Sequence, residues 1–212
     1  MAGGGRSRTP TSRARPGPVV AAIAFSLTAH GSQPRKDRRT PYIVHPVAVL
    51  RILSTELGVT DPEILAAGVL HDVLEDTSRT PAALRRRFGP IVTSLVVELT
   101  LPSDLHGPEV PDSLKTRALV RAVQAMSWPA VLVKLADRTD NLRDSSNAGW
   151  SAGKRRAFRS QSRHLLRAID LRGRADPPPA GLAKTLAAAE RLVVAQLDRG
   201  ARVRRSGTTS RR

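Results

Sequence analysis

One histidine and three carboxylic acids lie close together at the end of an apolar segment. His71 and Asp72 follow the apolar residues 66–70, and Glu75 and Asp76 come shortly after them. At 3.6 residues per helical turn, His71 and Glu75 fall on the same face of a helix. Burying so many polar groups in one turn is costly unless they are paired or bind a cation. The cluster therefore indicates a cation site, with a solvated helix end as the alternative interpretation.

Two other segments carry further potential ligands for a cation. His45 stands just before Pro46, where a helix is predicted to begin, and Asp137 lies in an otherwise apolar helical turn. Imidazole and carboxylate ligands together suit Mn²⁺, Fe²⁺, Zn²⁺ or Mg²⁺ and leave coordination positions open for water and substrate. Because the chain contains no cysteine, a closed structural zinc site built on thiolates is implausible. The candidate ligands are His45, His71, Asp72 and Asp137, whereas Asp140 is expected to face away from them.

The elements that must position these residues are all predicted to be helices. Of the 212 residues, 40% are hydrophobic but only 3% are aromatic, so Leu, Val and Ala have to build the core. Apolar spacing and the positions of proline and glycine predict helices at about 19–29, 46–57, 61–75, 80–88, 90–100, 112–126, 129–142, 150–171 and 181–198. Residues 131–135 would also suit a strand, but no second segment is available to pair with them. We therefore predict an all-α fold.

Much of the net charge of +17 lies at the two ends of the chain. Residues 1–18 contain four arginines, residues 199–212 contain six, and neither segment has an acidic residue. Their composition is typical of disorder, which predicts a disordered basic tail at 1–18, one domain at 19–198 and a second such tail at 199–212. Basic tails attract nucleic acid, but the Arg-rich composition of a GC-rich genome is the simpler explanation. Nucleic-acid contact through the tails is therefore not expected.

The start of the chain also resembles a secretory signal, because arginines precede the apolar residues 19–29. No clear small-residue cleavage site follows, and the apolar segment continues directly into the motif at residues 29–37. We therefore expect residues 19–29 to form the first helix of the domain. No apolar run approaches the ~18 residues that a membrane span needs. The expected location is the cytoplasm, with no membrane partner.

Several short motifs occur in an order that is characteristic of one enzyme family. They are Ala29-His30, Gln33-Pro-Arg35-Lys36-Asp37, Thr40-Pro-Tyr42-Ile-Val-His45-Pro46, Leu70-His71-Asp72-Val-Leu-Glu75-Asp76-Thr77, Phe88-Gly89, Lys134-Leu-Ala-Asp137-Arg138 and Asn141-Leu142-Arg143. Over about residues 20–170, the chain resembles the HD-domain metallophosphohydrolases. Within them it is most similar to the RelA/SpoT-type hydrolase domain and to the stand-alone small alarmone hydrolases that include the animal SpoT-like enzyme. The resemblance implies an HD-domain helical bundle.

The resemblance also implies roles for individual residues. The family's four metal ligands, which usually hold one Mn²⁺, match His45, His71, Asp72 and Asp137. Glu75 and Asp76 match the acidic pair that orients or deprotonates the attacking water. The matching substrate contacts are Arg35 and Lys36 at the phosphates, Tyr42 beside the base, Asn141 near the scissile phosphate, and Lys115 and Lys154 as further phosphate contacts.

One segment departs from the family pattern. Lys154 and Phe158 stand where relatives carry arginine and tyrosine, so a point charge replaces a bidentate fork and a hydroxyl is lost. This change bears on the phosphate contacts and on substrate preference, but not on the metal ligands.

The function that the resemblance implies is metal-dependent hydrolysis of guanosine-3′,5′-bis(diphosphate), ppGpp, or of pppGpp. The products are GDP or GTP and pyrophosphate. One alternative is an HD-type phosphohydrolase that acts on another nucleotide such as NADPH, since the same metal and general base serve either substrate. A second alternative is a non-catalytic module that binds alarmone or nucleic acid, for which a degraded His-Asp or Glu-Asp motif would be expected. Both motifs are intact. The oligomeric state stays open.

Overall fold

The computed structural model describes residues 17–35, 37–105, 107, 109–145 and 149–206. Over these residues the chain forms helices and no strand, apart from one isolated bridge between Pro34 and Pro41. The helices are α1 (Pro18–His30), α2 (Val44–Arg51), α3 (Pro62–Leu70), α4 (Val73–Asp76), α5 (Pro81–Leu99), α6 (Asp112–Ala125), α7 (Trp128–Asp144), α8 (Ala152–Ala175) and α9 (Ala180–Ser206). A π-helical turn, Ile52–Glu56, extends α2, and a 3₁₀ turn, Ser103–Leu105, precedes α6. The predicted all-α fold is confirmed.

Helix α7 is the central element of the bundle. Every residue from 130 to 139 is buried, and the helix packs against α2, α3, α5 and α9. Ser127 caps its N-terminus by accepting a hydrogen bond from the backbone N–H of Ala130. Residues 131–135 are therefore helical, which excludes the strand interpretation. A helix buried all round brings any polar side chain it carries into the interior.

Helix α3 lies against α1, α2 and α5 and is tightly packed at Gly68. A Cβ atom at Gly68 would lie only 2.5 Å from Cδ1 of the buried Leu53. The absence of a side chain thus allows α3 to approach the turn that follows α2. At the other end of α3, Asp61 is the N-cap, and its side chain accepts hydrogen bonds from the N–H groups of Glu63 and Ile64.

The helix predicted at 61–75 is interrupted in the structure. Helix α3 ends at Leu70 and α4 begins at Val73, with His71 and Asp72 in the turn between them. The carbonyl of Gly68, which would accept from the N–H of Asp72 in a continuous helix, instead accepts a hydrogen bond from Nδ1 of His71 at 2.8 Å. This interruption turns the side chains of both residues toward α7.

The two helices predicted at 80–88 and 90–100 are both present within α5. They meet at Gly89, whose φ of 82° and ψ of 178° break the helical path just before Pro90. Glycine adopts this backbone conformation without the steric cost that a Cβ would bring.

The predicted bounds of the domain, residues 19 and 198, do not coincide with the ends of the first and last helices. Helix α1 begins at Pro18, and α9 runs to Ser206, so residues 199–206 continue the last helix rather than starting a separate segment. The remainder of both tails, 1–16 and 207–212, lies outside the described residues, as does Lys36. None of the described helices is both long enough and apolar enough to cross a membrane.

Candidate metal centre

Two helices and one interhelical turn bring the four candidate ligands to one point. His45 lies in the first turn of α2, His71 and Asp72 lie between α3 and α4, and Asp137 lies in the middle of α7. Nε2 of His45 is 3.2 Å from Nε2 of His71, 3.5 Å from Oδ2 of Asp72 and 3.3 Å from Oδ1 of Asp137. Nε2 of His71 is 3.0 Å from Oδ2 of Asp72 and 3.8 Å from Oδ1 of Asp137. The structure brings these four side chains together, and their role as metal ligands stays a prediction.

Three of the five separations, those of 3.0, 3.2 and 3.3 Å, suit ligands of a single divalent ion, and the other two are longer at 3.5 and 3.8 Å. Ligand atoms at about 2.1 Å from an ion, with angles between 90° and the tetrahedral value, lie roughly 3.0 to 3.4 Å apart. The potential ligand atoms of His45, His71 and Asp72 all lie within 4.8 Å of one another. Both imidazoles are almost fully buried, as is Asp137, at 2 to 7% exposure. The group therefore fits an ion enclosed by protein on one side.

Hydrogen bonds at the other ring nitrogens orient both histidines. Nδ1 of His71 donates to the carbonyl of Gly68, and Nδ1 of His45 lies 2.7 Å from Oδ2 of Asp140. With the proton on Nδ1, each ring directs the lone pair of Nε2 toward the shared centre. Two lone pairs and two carboxylate oxygens then face one another, an arrangement that a cation stabilises.

The pKa values of these groups reflect the negative charge that the carboxylates concentrate at the centre. Burial alone would lower the pKa of His45, but hydrogen bonds with Asp137 and Asp140 outweigh it and raise that pKa to about 9. Burial would raise the pKa of Asp72, yet the charge of His71 holds it below its usual range. The pKa of Asp137 is also lowered well below its usual range, since the charge of Lys134 outweighs burial. Both carboxylates thus stay ionised and available as ligands.

Asp140 differs from its predicted position. Although we expected it to face away from the ligands, its carboxylate contacts the outer nitrogen of His45 and also lies 3.4 Å from the guanidinium of Arg35. The helical spacing explains this result, because Asp137 and Asp140 are three residues apart on α7 and share a face. Asp140 orients a ligand from behind and does not reach the centre.

Lys134 and Asn141 both contact Asp137. Nζ of Lys134 lies 3.2 Å from Oδ2 of Asp137, and Nδ2 of Asn141 donates to Oδ1 of Asp137 at 2.5 Å. The predicted contact of Asn141 with substrate remains compatible with its position in the cavity wall, but its amide also holds a ligand in place. No role for Lys134 was predicted from the sequence. Its position three residues before Asp137 was the available signal.

Tyr42 lies at the acidic cluster. Its hydroxyl is 2.5 Å from Oδ2 of Asp72 and 2.7 Å from Oδ2 of Asp76, and its ring stacks on His30 with 4.4 Å between centroids. The pKa of Asp76 is raised, first by burial and then by the charge of Asp72. Tyr42 therefore links the candidate ligand Asp72 to Asp76 of the candidate acid pair. It also lines the cavity, where it was predicted to lie beside the guanine base of the substrate.

The centre opens into a cavity of about 530 Å³. Glu75 and Asp76 line this cavity and also line an adjoining one of about 400 Å³. Lys115 and Lys154 both line the second cavity, where Nζ of Lys115 donates to the carbonyl of Gly107 at 2.6 Å. The two cavities together provide room for a ligand that extends past the acid pair in both directions.

Besides Lys115, two of the predicted phosphate contacts are engaged by groups of the protein. The guanidinium of Arg35 lies 2.8 Å from the carboxylate of Asp144 as well as 3.4 Å from that of Asp140. The ammonium of Lys154 lies over the ring of Trp150, 4.9 Å from its centroid. Arg35 is therefore fixed by two carboxylates, whereas Lys154 is exposed and lies beside the second cavity.

The chain is similar in sequence and in structure to known proteins. The sequence profile of the HD domain family matches residues 22–168. The guanosine-3′,5′-bis(diphosphate) 3′-pyrophosphohydrolase MESH1 of Xenopus tropicalis is 40% identical over 137 residues, which is 63% of this chain and 74% of that protein. The Homo sapiens protein of the same name is 41% identical over the same shares. A solved structure, described as a metazoan ortholog of SpoT that hydrolyzes ppGpp, matches with a TM-score of 0.67 and 30% identity, and the match covers 85% of this chain and 97% of that one. The chain therefore belongs to the HD domain family.

Proposed function

We propose that this chain is a metal-dependent hydrolase that removes the 3′-diphosphate of ppGpp or pppGpp. One water is consumed, pyrophosphate leaves, and GDP or GTP remains. The observation that carries this proposal is the convergence of two imidazole nitrogens and two carboxylate oxygens in the wall of a cavity that also contains Glu75 and Asp76. The names of the relatives at 40 and 41% identity support the choice of substrate.

The proposed ligands of the ion are His45, His71, Asp72 and Asp137, and the proposed ion is Mn²⁺. When bound, such an ion stabilises negative charge on a phosphoryl oxygen and lowers the pKa of water toward ~7. Asp140 and Gly68 keep the histidine lone pairs directed at the ion, while Lys134 and Asn141 fix the carboxylate of Asp137.

Glu75 and Asp76 are the proposed proton acceptors for the attacking water. Both line the cavity beside the ligands, and the raised pKa of Asp76 brings its carboxylate closer to the range in which it accepts a proton efficiently. The hydroxyl of Tyr42 holds the Asp76 carboxylate in place. The proton taken from water can then pass to the 3′ oxygen as the bond to phosphorus breaks.

Phosphoryl transfer depends mainly on positioning and on stabilisation of charge. Arg35, Asn141 and Tyr42 are the proposed substrate contacts in the first cavity, together with Lys36, which the structure does not describe. Lys115 and Lys154 are the proposed contacts in the second cavity. Because Glu75 and Asp76 lie between the two cavities, a nucleotide with phosphates at both ends can place one end on each side of the acid pair.

Product analysis tests this function. The purified chain with Mn²⁺ is incubated separately with ppGpp, pppGpp, NADPH and dNTPs, and the phosphate products are identified. Release of pyrophosphate from ppGpp or pppGpp is the expected result. Orthophosphate from NADPH alone would assign the site to another nucleotide, and binding of ppGpp without turnover would make the protein a binding module. The variant His71→Ala, checked for helical content by circular dichroism, should lose the metal and the turnover together.

A further inference from the structure

Among the described residues, four lysine and arginine side chains line the cavity of the metal centre, and three of them are engaged. Arg35 pairs with two carboxylates, and Lys134 pairs with Asp137. The guanidinium of Arg138 donates to Gln161 and lies 4.2 Å from the ring centroid of Phe158. The fourth is Arg38, whose guanidinium makes no hydrogen bond or ion pair with any other residue that the structure describes.

The backbone of Arg38 is unusual. Its φ of 60° makes it the one residue other than glycine with a positive φ in the described part of the chain. For an L-residue with a Cβ, this left-handed conformation is sterically unfavourable. Such strain persists only where the surrounding structure imposes it, and it is concentrated at functional sites.

The surrounding loop does impose this conformation. The carboxylate of Asp37 accepts hydrogen bonds from the N–H of Arg39 at 2.9 Å, from the N–H of Thr40 at 2.9 Å and from the Thr40 hydroxyl at 2.6 Å. Two backbone hydrogen bonds close the loop. The N–H of Arg35 donates to the carbonyl of Thr40, and the N–H of Arg38 donates to the carbonyl of Arg35, both at 2.8 Å. The closed loop holds Arg38 at the cavity.

We propose that Arg38 binds a phosphate group of the nucleotide in this cavity, an inference that rests on the proposed function. The cavity wall carries the carboxylates of Asp72, Glu75, Asp76 and Asp137, which repel a polyanion. A guanidinium offers two parallel N–H groups to phosphate oxygens, and that of Arg38 has no competing carboxylate among the described residues. Arg38 therefore supplies the phosphate contact that Arg35, fixed by Asp140 and Asp144, is less free to make.

Charge removal at Arg38 is the first test. Arg38→Gln should lower kcat/KM for ppGpp about tenfold, the effect of one charge-assisted hydrogen bond lost at a partly solvated site. Arg39→Gln is the matched control, because Arg39 is the adjacent exposed arginine and does not line the cavity. Its kcat/KM should stay within about twofold of the wild-type value. Equal values for the two variants would overturn the proposal.

A second variant separates the role of the side chain from that of the backbone. Arg38→Gly removes the cation but also relieves the positive φ, so its midpoint of thermal unfolding should not fall below the wild-type value. Its kcat/KM should still fall as far as that of Arg38→Gln. Loss of activity accompanied by a matching loss of thermal stability in both variants would make Arg38 a structural residue and overturn the proposal.

Calorimetric titration with pyrophosphate distinguishes failure of this inference from failure of the proposed function. If the wild-type protein does not hydrolyse ppGpp, the proposed function fails, and the titration still decides the role of Arg38. Pyrophosphate should bind about tenfold more weakly to Arg38→Gln than to the wild type or to Arg39→Gln. Equal affinities for the three proteins, or no binding to the wild type, would overturn the assignment of Arg38.

Discussion

Oδ2 of Asp140 lies 2.7 Å from Nδ1 of His45, while Nε2 of the same ring lies 3.2 Å from Nε2 of His71. The carboxylate thus contacts the side of the imidazole that does not face the shared centre. A proton held on Nδ1 fixes the tautomer in which Nε2 presents its lone pair. Carboxylates in this position orient histidine ligands and raise their basicity.

Replacing Asp140 should therefore weaken metal binding without removing a ligand. We expect Asp140→Asn to lower the affinity for Mn²⁺ about 10- to 100-fold, because an amide is a weaker acceptor for the Nδ1 proton. Competition with a metal-binding dye measures this affinity. Asp144→Asn is the control. Asp144 lies on α7, as Asp140 does, and pairs with Arg35, but it makes no described contact with His45. If both variants bound Mn²⁺ as tightly as the wild type, Asp140 would have no orienting role.

Loss of the cation beside Asp137 should destabilise the metal-free protein. Lys134 and Asp137 are about one-tenth exposed and form a buried ion pair. Lys134→Met removes the ammonium beside Oδ2 of that carboxylate and leaves only His45 beside Oδ1, so it should lower the free energy of unfolding by about 3 kcal/mol. Lys154→Met, which removes only an exposed ammonium over Trp150, should cost under about 1 kcal/mol. Urea denaturation in the presence of a chelator measures the free energy of unfolding of both variants. Equal losses for the two variants would argue against a stabilising ion pair between Lys134 and Asp137.

The acid pair should be separable from the metal ligands. We expect Glu75→Gln to retain one bound metal ion per chain but to lose about 100-fold or more in kcat, because the amide cannot accept a proton from water. Elemental analysis and product release measure the two properties. Glu63→Gln, in the first turn of α3 and outside both cavities, is the control. An unchanged kcat for Glu75→Gln would remove this residue from catalysis.

The close packing at Gly68 connects the core to the metal centre. Gly68→Ala places a methyl group against Leu53 and should cost about 1 to 3 kcal/mol of stability. The double variant with Leu53→Ala should lose less stability than the sum of the two single variants, because the smaller side chain makes room. Thermal unfolding compares the four proteins. Strict additivity would show that the two residues do not compete for the same space.

Sequence patterns were sufficient for most of the fold. The helix starts at Asp61-Pro62, Thr80-Pro81 and Trp128-Pro129 follow from capping residues and proline, which act locally. The interruption after Leu70 did not follow from such rules. It depends on a hydrogen bond between the His71 side chain and the Gly68 carbonyl, and propensities that treat each residue by its backbone preference do not include this bond.

The four candidate ligands could be proposed from sequence because their residue types are unusual for their apolar surroundings, and their ligand role stays a prediction. The residues that support it were less accessible. Asp140 and Lys134 are ordinary charged residues of a helix, and their roles appear only when α7 is placed against α2 and fully buried. Arg38 was also missed, since a positive φ in an arginine is a property of the closed loop rather than of the residue.

Anomalous diffraction from crystals grown with Mn²⁺ tests whether one metal ion binds between the four candidate ligands. We expect one strong peak per chain, in contact with Nε2 of His45, Nε2 of His71, Oδ2 of Asp72 and Oδ1 of Asp137. A strong peak elsewhere with none between these four atoms, at a Mn²⁺ concentration that supports full activity, would contradict it.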